Sequence, residues 1–392
     1  MSFDFDTPVD RTGTNSEKWD KYAGKDILPL WVADADFRSP PAVTDALVAR
    51  AAHGVFGYPG TPPGLVEVFL ETCEREWGWR VDPSWLVWLP GLVCGLSVTC
   101  RATGTPGSGV AVQTPVYGPF LKVPGVMDRR VQHIGLQGDN TAGWACDRAT
   151  FAAGLDEETR LFLLCHPHNP VGRMWTEDEL EVFAEECLRR DVVICSDEIH
   201  AQLILEPGRR HVPLATLSPE IAARTITLMA PSKAFNVAGL GCSVAVIPDE
   251  SLRRKFERAK LGIVPHVNVL GLVAAEAAWR DGGPWLAAQM EYLRGNRDFL
   301  ADAIDTMPGV TMSRVEATYL AWLDVRELGL VEPAAHFEAY GLGLSPGSHF
   351  GAEGYVRLNF ACTRETLAEA CGRLANGSRG QDGPKKVVKE DL

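Results

Sequence analysis

The residues with chemistry to offer fall in three short clusters, each directly after an apolar run. Ser232-Lys233-Ala234-Phe235-Asn236 follows Ile226–Met229. Ser196-Asp197-Glu198-Ile199-His200 follows Val192–Cys195, and Cys165-His166-Pro167-His168-Asn169-Pro170-Val171-Gly172 closes Leu161–Cys165. A lysine amine forms an imine with an aldehyde and, when neutral, takes up a proton. A carboxylate keeps a ring nitrogen protonated. An arginine fork such as that of Arg357, in the apolar stretch Tyr355–Asn359, matches a carboxylate with two parallel hydrogen bonds. With an aromatic lid and donors for a phosphate, these are the groups that pyridoxal 5'-phosphate (PLP) needs to act at the Cα of an amino acid.

Such groups must converge, so the elements that carry them matter. From about residue 86 to 247 apolar runs alternate with helical patterns: Leu86–Leu89, Gly109–Gln113, Leu161–Cys165, Val192–Ser196, Ile226–Met229 and Ser243–Ile247. Several are apolar without interruption, as strands covered on both faces must be. Thr176 with Glu179 three residues on predicts a capping box at the start of a helix. Alternating strands and helices predict an α/β domain with a mostly parallel sheet, whose ligands gather at the carboxyl ends of the strands. Long helices are expected at Leu252–Leu261 and Trp285–Met307. Strands at Tyr319–Val325 and Tyr355–Asn359 predict a smaller α+β domain. The expected division is an N-terminal arm joining the small domain over 1–45, a large domain over 46–280, and the small domain over 281–375. A tail over 376–392 lacks apolar periodicity and is expected to be disordered.

The three clusters, in this order, resemble the fold-type I PLP enzymes of the class I/II aminotransferase family. The finer resemblance is to the MalY/PatB branch, the cystathionine β-lyases or C–S lyases. Further stretches carry it: Asp4 to Arg11, Trp19-Asp20-Lys21, Ala33 to Phe37, Gly54 to Tyr58, Thr114 to Phe120, Ala317 to Asp324, and Tyr355 to Asn359. The resemblance spans about residue 3 to 375. It implies a fold-type I architecture and these roles. Lys233 carries the cofactor and shuttles the Cα proton. Asp197 pairs with the pyridinium nitrogen, and Tyr117 stacks on the ring. These three form the catalytic set. Asn169 bonds the ring oxygen, and His200 packs near the cofactor as a hydrogen-bonded histidine. Gly91, Leu92, Val93 and Ser232 hold the phosphate, aided by Tyr58 of a neighbouring subunit in a homodimer with shared sites. Arg357 clamps the substrate carboxylate, with Ala33, Asp34 and Tyr58 at the substrate entrance. Three positions depart from the pattern: Ala230 and Gly241 replace a serine and an arginine that often hold the phosphate, and Gly118 follows Tyr117.

The reaction implied is β-elimination of cystathionine or another S-substituted cysteine to a thiol, pyruvate and ammonia. Transamination uses the same residues and is the alternative. A regulatory binding role on the same scaffold is a lesser one. A net charge of −13 over 392 residues argues against nucleic-acid and anionic-membrane partners. No apolar stretch is long enough for a membrane span and no secretory signal is visible, so a cytoplasmic protein is expected. The ten cysteines are scattered without metal-ligand spacing and read as reduced buried thiols. His166 and His168 lack a third ligand, so no metal is expected. Gly239-Leu240-Gly241 lacks the third glycine of a dinucleotide fingerprint.

Overall fold

The structure is a computed structural model and describes residues 3–380. Its central sheet has seven strands: β1 (Leu86–Leu89), β2 (Gly109–Thr114), β3 (Arg130–Gly135), β4 (Thr159–Cys165), β5 (Val193–Asp197), β6 (Thr225–Met229) and β7 (Ser243–Val246). The order is β1-β7-β6-β5-β4-β2-β3. Strand β7 pairs antiparallel with both neighbours, and the other pairings are parallel. Six strands coincide with the apolar runs because β4 to β7 lie inside the sheet and are covered on both faces. Strand β3 has no such run. It is an edge strand whose inner residues Gln132 and Ile134 alternate with exposed ones.

Helices cover both faces. On one, α1 (Leu92–Ala102), α2 (Gly118–Val126) and a later helix (Glu250–Lys260) bury Leu96, Phe120, Ile226 and Phe256 in a common core. On the other, α3 (Glu177–Arg189) packs Phe183 against Phe151 and Phe162. Helix α3 starts at Thr176, and both bonds of the capping box form. Among the described residues no helix is long and apolar enough to cross a membrane, and no group of three metal-binding side chains forms.

The C-terminal part is built on a second sheet, with β8 (Leu320–Asp324) antiparallel to β9 (Tyr355–Asn359) and Trp322 opposite Arg357. The N-terminal segment joins it. Leu28–Pro29 pairs in parallel with Leu342–Gly343, and the Asn359 amide donates to Leu30 O. The last helix runs Arg364–Ser378 and buries Leu367, Ala370, Cys371 and Leu374. It extends three residues into the segment expected to be disordered, because Gly377 packs against Phe337. The rest of that segment, from 381 on, lies outside the described residues.

One side chain fastens the N-terminal segment to the large domain. Asn236, at φ 55°, donates through Nδ2 to Ala35 O (3.0 Å) and Phe37 O (2.8 Å) and accepts from the Ala35 amide (3.0 Å). Aspartate and asparagine tolerate this left-handed backbone best after glycine. Replacing Asn236 by Ala removes all three bonds and strains the backbone. The expected loss is about 2–4 kcal/mol, seen as a lower midpoint in urea unfolding.

Candidate active site

The loops after β1, β2, β4, β5 and β6 open on one cavity of about 460 Å³. They bring Gly91, Tyr117, Asn169, Asp197 and Lys233 to its walls. The N-terminal segment adds Trp31, Val32 and Ala33, and the C-terminal part adds Ser345, Phe350 and Arg357. A site at the carboxyl edge of a parallel sheet is where such folds place ligands.

Lys233 is the centre. Its amine is buried and donates to Ala33 O at 2.6 Å. Burial, with Arg357 adding to it, pushes the amine down to about 8, while Asp34 and Asp197 pull the other way. A large fraction of the amine is therefore neutral near physiological pH. Asp197, at the end of β5, is buried too. Burial pushes its carboxyl up to about 7 and Glu198 pushes it further, against the Ile199 amide (3.2 Å) and Lys233. A buried carboxylate with one backbone donor is short of a cation, and a protonated ring nitrogen would supply one.

Arg357 stands opposite. Its Nη1 donates to Asn169 Oδ1 (3.1 Å) and its Nη2 to Trp31 O (2.9 Å), while Phe350 lies 4.7 Å from the guanidinium. Its Nε is buried and has no partner among the described residues. Burial pushes Arg357 down to about 10, which leaves it charged at neutral pH. Tyr117 sits just before α2, its amide on Asn169 O (3.0 Å), and burial raises its hydroxyl. Gly91 precedes α1, which has no side-chain cap. Its first amides, including those of Leu92 and Val93, thus have no carbonyl partner within the helix and face an anion-binding end. Ser232 lines the same space. His200 also lines it, held neutral by burial and by the nearby charges of Lys233 and Arg357. Its Nδ1 has no partner among the described residues, so the hydrogen bond expected of it is not made through that atom.

Asp34 and Tyr58 do not line this cavity, and Tyr58 is expected at the partner's site rather than here. Asp34 turns away from the cavity. Its Oδ2 accepts from Arg11 (2.6 Å), and Lys18 lies 3.7 Å from Oδ1. An ion pair to the arm is available to it and a substrate is not, so it acts on the site only through its charge near Lys233. Tyr58 is fully exposed and does not line the cavity of its own chain. The sequence reading also missed walls of the site: Glu17, Trp31, Lys122, Ser345, His349 and Phe350. They come from loops, helices and a short strand, and they reach the cavity only through tertiary packing. Only Trp31, next to the quoted Ala33 segment, carried a signal.

The departures have physical reasons. Gly241 adopts φ +59°, and a Cβ there would lie 2.9 Å from Pro90 O. No arginine fits that backbone without strain. A Cβ on Gly118 would lie 2.9 Å from His349 O, so this glycine lets the turn Gly347–Phe350 close on α2. The set fits PLP: a buried amine for its aldehyde, a buried carboxylate for its nitrogen, and an uncapped helix start for its phosphate.

Imine formation needs the neutral amine. The rate at which cofactor-free protein captures PLP should therefore rise with pH through about 8 rather than through the ordinary lysine value of 10.5. Stopped-flow absorbance across pH 6–10 checks it.

The family model for aminotransferases of class I and II matches residues 25–374. The cystathionine β-lyase PatB of Bacillus subtilis is 38% identical over 385 residues, which cover 94% of this chain and 98% of that protein. The crystal structure of OvoB superposes with a TM-score of 0.94 at 45% identity, over 97% of this chain and 100% of that one. That of cystalysin from Treponema denticola, which contains PLP, superposes with a TM-score of 0.92 at 29% identity, over 97% and 99%.

Proposed function

The chain belongs to the class I and II aminotransferase family, and from that premise we infer that it is a PLP-dependent carbon–sulfur β-lyase. The observation that carries the reading is the Lys233 amine sharing one cavity with Asp197 and Arg357. The similarity to PatB directs it toward C–S cleavage.

When bound, PLP offers the electron pair left at Cα a conjugated ring to enter. The rest is done by the chain. Arg357 receives the substrate α-carboxylate through its guanidinium, whose plane Asn169 Oδ1 and Trp31 O fix. Lys233, neutral enough to act as a base, takes the Cα proton. Asp197 holds a proton at the ring nitrogen. Tyr117 would lie against the ring, and the Leu92 and Val93 amides with the Ser232 hydroxyl would hold the phosphate. A sulfur substituent on Cβ then departs as thiolate. Taking up one water, the remaining fragment ends as pyruvate and ammonia beside the released thiol.

We further propose a cytoplasmic homodimer in which Tyr58 reaches the phosphate of the partner's site. Support comes from the loop that carries it, where Val55, Phe56 and Tyr58 are all exposed in the single chain. The ten free cysteines, nine of them buried, are in keeping with a reducing compartment.

The deciding experiment supplies an S-substituted cysteine with no keto-acid acceptor. Continuous release of pyruvate is expected. A single turnover that stalls until a keto acid is added would mean an aminotransferase instead. Lys233→Ala should lower turnover by on the order of 10²–10⁴-fold, which a pure binding role would not register. Arg357→Lys keeps the charge and loses the fork. It should cost about 1.5–3 kcal/mol in kcat/KM, roughly 10- to 150-fold. Sedimentation should return twice the monomer mass, and Tyr58→Phe should weaken PLP retention on dialysis.

A further inference from the structure

We propose that Glu198, which does not line the cavity, is a positioning residue for the cofactor: a second buried anion behind Asp197 that strengthens the hold on the protonated ring nitrogen. The inference rests on the PLP site and is independent of which bond the enzyme breaks.

Glu198 follows Asp197 directly at the end of β5, and one peptide unit keeps their Cα atoms about 3.8 Å apart. Neighbouring residues of an extended strand point to opposite faces. Asp197 faces the cavity. Glu198 turns to the other side, where Ser196 and Leu214 meet it. Its buried carboxylate takes three donors. Oε1 accepts from the Ser196 hydroxyl (2.7 Å) and the Leu214 amide (3.1 Å), and Oε2 accepts from His211 Nε2 (2.7 Å). Asp197 has one donor, the Ile199 amide. Of two adjacent buried carboxyls, the one with three donors keeps a charge more readily.

The groups around Glu198 leave that charge uncancelled. Among the described residues no lysine or arginine pairs with it, and His211 is its one ionisable partner. The ring of His166 lies 4.4 Å from that of His211 and donates through Nε2 to Val212 O (3.1 Å). Burial pushes both imidazoles down to about 3, which leaves them neutral near pH 7. From the helix Pro63–Trp77, Cys73 faces the same place, its thiol pushed up by burial and then by Glu198. Burial pushes Glu198 itself up to about 7, with the Ser196 hydroxyl and the Leu214 amide pulling the other way. Above that value its charge is present and is felt at Asp197, whose carboxyl it helps to raise. A ring that carries a proton on its nitrogen then meets two anions in place of one.

The same bonds close residues 198–214 into a loop that brings Ile199 and His200 to the cavity wall. Changes at Glu198 are therefore expected to cost stability as well. A charge is told from a clasp by its pH dependence.

The test measures the PLP dissociation constant of the full chain at pH 8.5 and pH 5.5 for the wild type, Glu198→Gln and Glu198→Asp. Glutamine keeps an acceptor for Ser196 and Leu214 and loses the charge. Aspartate keeps the charge and shortens the reach. At pH 8.5 Glu198→Gln should weaken PLP binding roughly three- to tenfold, and Glu198→Asp should stay within about twofold of the wild type. At pH 5.5 the effect of Glu198→Gln should shrink toward none. The wild-type carboxyl then carries a proton, so its contribution, present above about 7, is lost as the pH falls. Should Glu198→Gln not fold, Ser196→Ala removes one donor and should weaken binding at pH 8.5 by roughly twofold. Equal losses in Glu198→Gln and Glu198→Asp, a loss of the same size at both pH values, or no loss at pH 8.5 overturns the inference and leaves the lyase reading standing. A wild type that binds no PLP at either pH overturns the cofactor site, and this inference with it.

Discussion

Two groups able to carry positive charge, Lys233 and Arg357, line one cavity, and much of the molecule answers that fact. Burial pushes both down, and the charge of Arg357 pushes Lys233 down further. A guanidinium holds its proton under such pressure and an amine gives way. The outcome is a division of labour that follows from chemistry rather than from position alone. Arg357 stays a cation able to bind an anion, and Lys233 becomes an amine able to act as a base. Asp197 and the charge of Asp34 keep the shift of the amine moderate. Without them burial would drive it lower and leave a weaker base.

The cavity has no wall of its own on the side of residues 31 to 37, and that strip is held from both halves of the chain. From the large domain, Asn236 clasps Ala35 and Phe37, and Lys233 donates to Ala33 O. From the C-terminal part, Asn359 donates to Val32 O (2.6 Å) and Asp34 O (2.7 Å). Tyr319 donates to Ala33 O, and Arg357 and Ser345 both donate to Trp31 O. Most of the acceptors are backbone carbonyls, so the strip acts as a ladder of fixed dipoles, and its side chains are free to do other work. Ala33 O receives both Lys233 and Tyr319, which makes it the point where the two halves meet the catalytic amine.

What could be read from the sequence divides along the same line. Strands β4 to β7 are buried on both faces, and continuous apolar runs announce that. The residues at their carboxyl ends, Asn169, Asp197 and Lys233, followed directly. The edge strand β3 faces solvent on alternate residues and left no apolar run. Asp34 stands in a quoted motif, yet its carboxylate answers Arg11 and Lys18, a pairing fixed by the fold of the arm. Trp31, Ser345 and Phe350 reach the cavity because the strip and the second sheet close over it. Nothing local in the sequence marks Ser345 or Phe350. The last helix outran its apolar pattern because Gly377 found a packing partner in Phe337, a contact across 40 residues.

The phosphate end shows how a local constraint passes to the level of assembly. Gly241 takes a left-handed conformation in which a Cβ would lie 2.9 Å from Pro90 O, so the residue that often brings a cation to this place has no room here. Ala230 is buried and contributes no hydroxyl. The chain's own means are then the uncapped start of α1 and Ser232, neutral donors acting through a helix dipole. Such a grip binds an anion without fully neutralising it, in a chain whose net charge is already −13. A donor from outside the chain gains in value under those conditions, and a tyrosine hydroxyl adds a hydrogen bond without a charge to desolvate. Tyr58, which stands wholly in solvent on an apolar loop, has no work to do in a monomer. The proposed homodimer is thus the arrangement in which the lighter phosphate site, the exposed loop and the left-handed glycine have one common explanation.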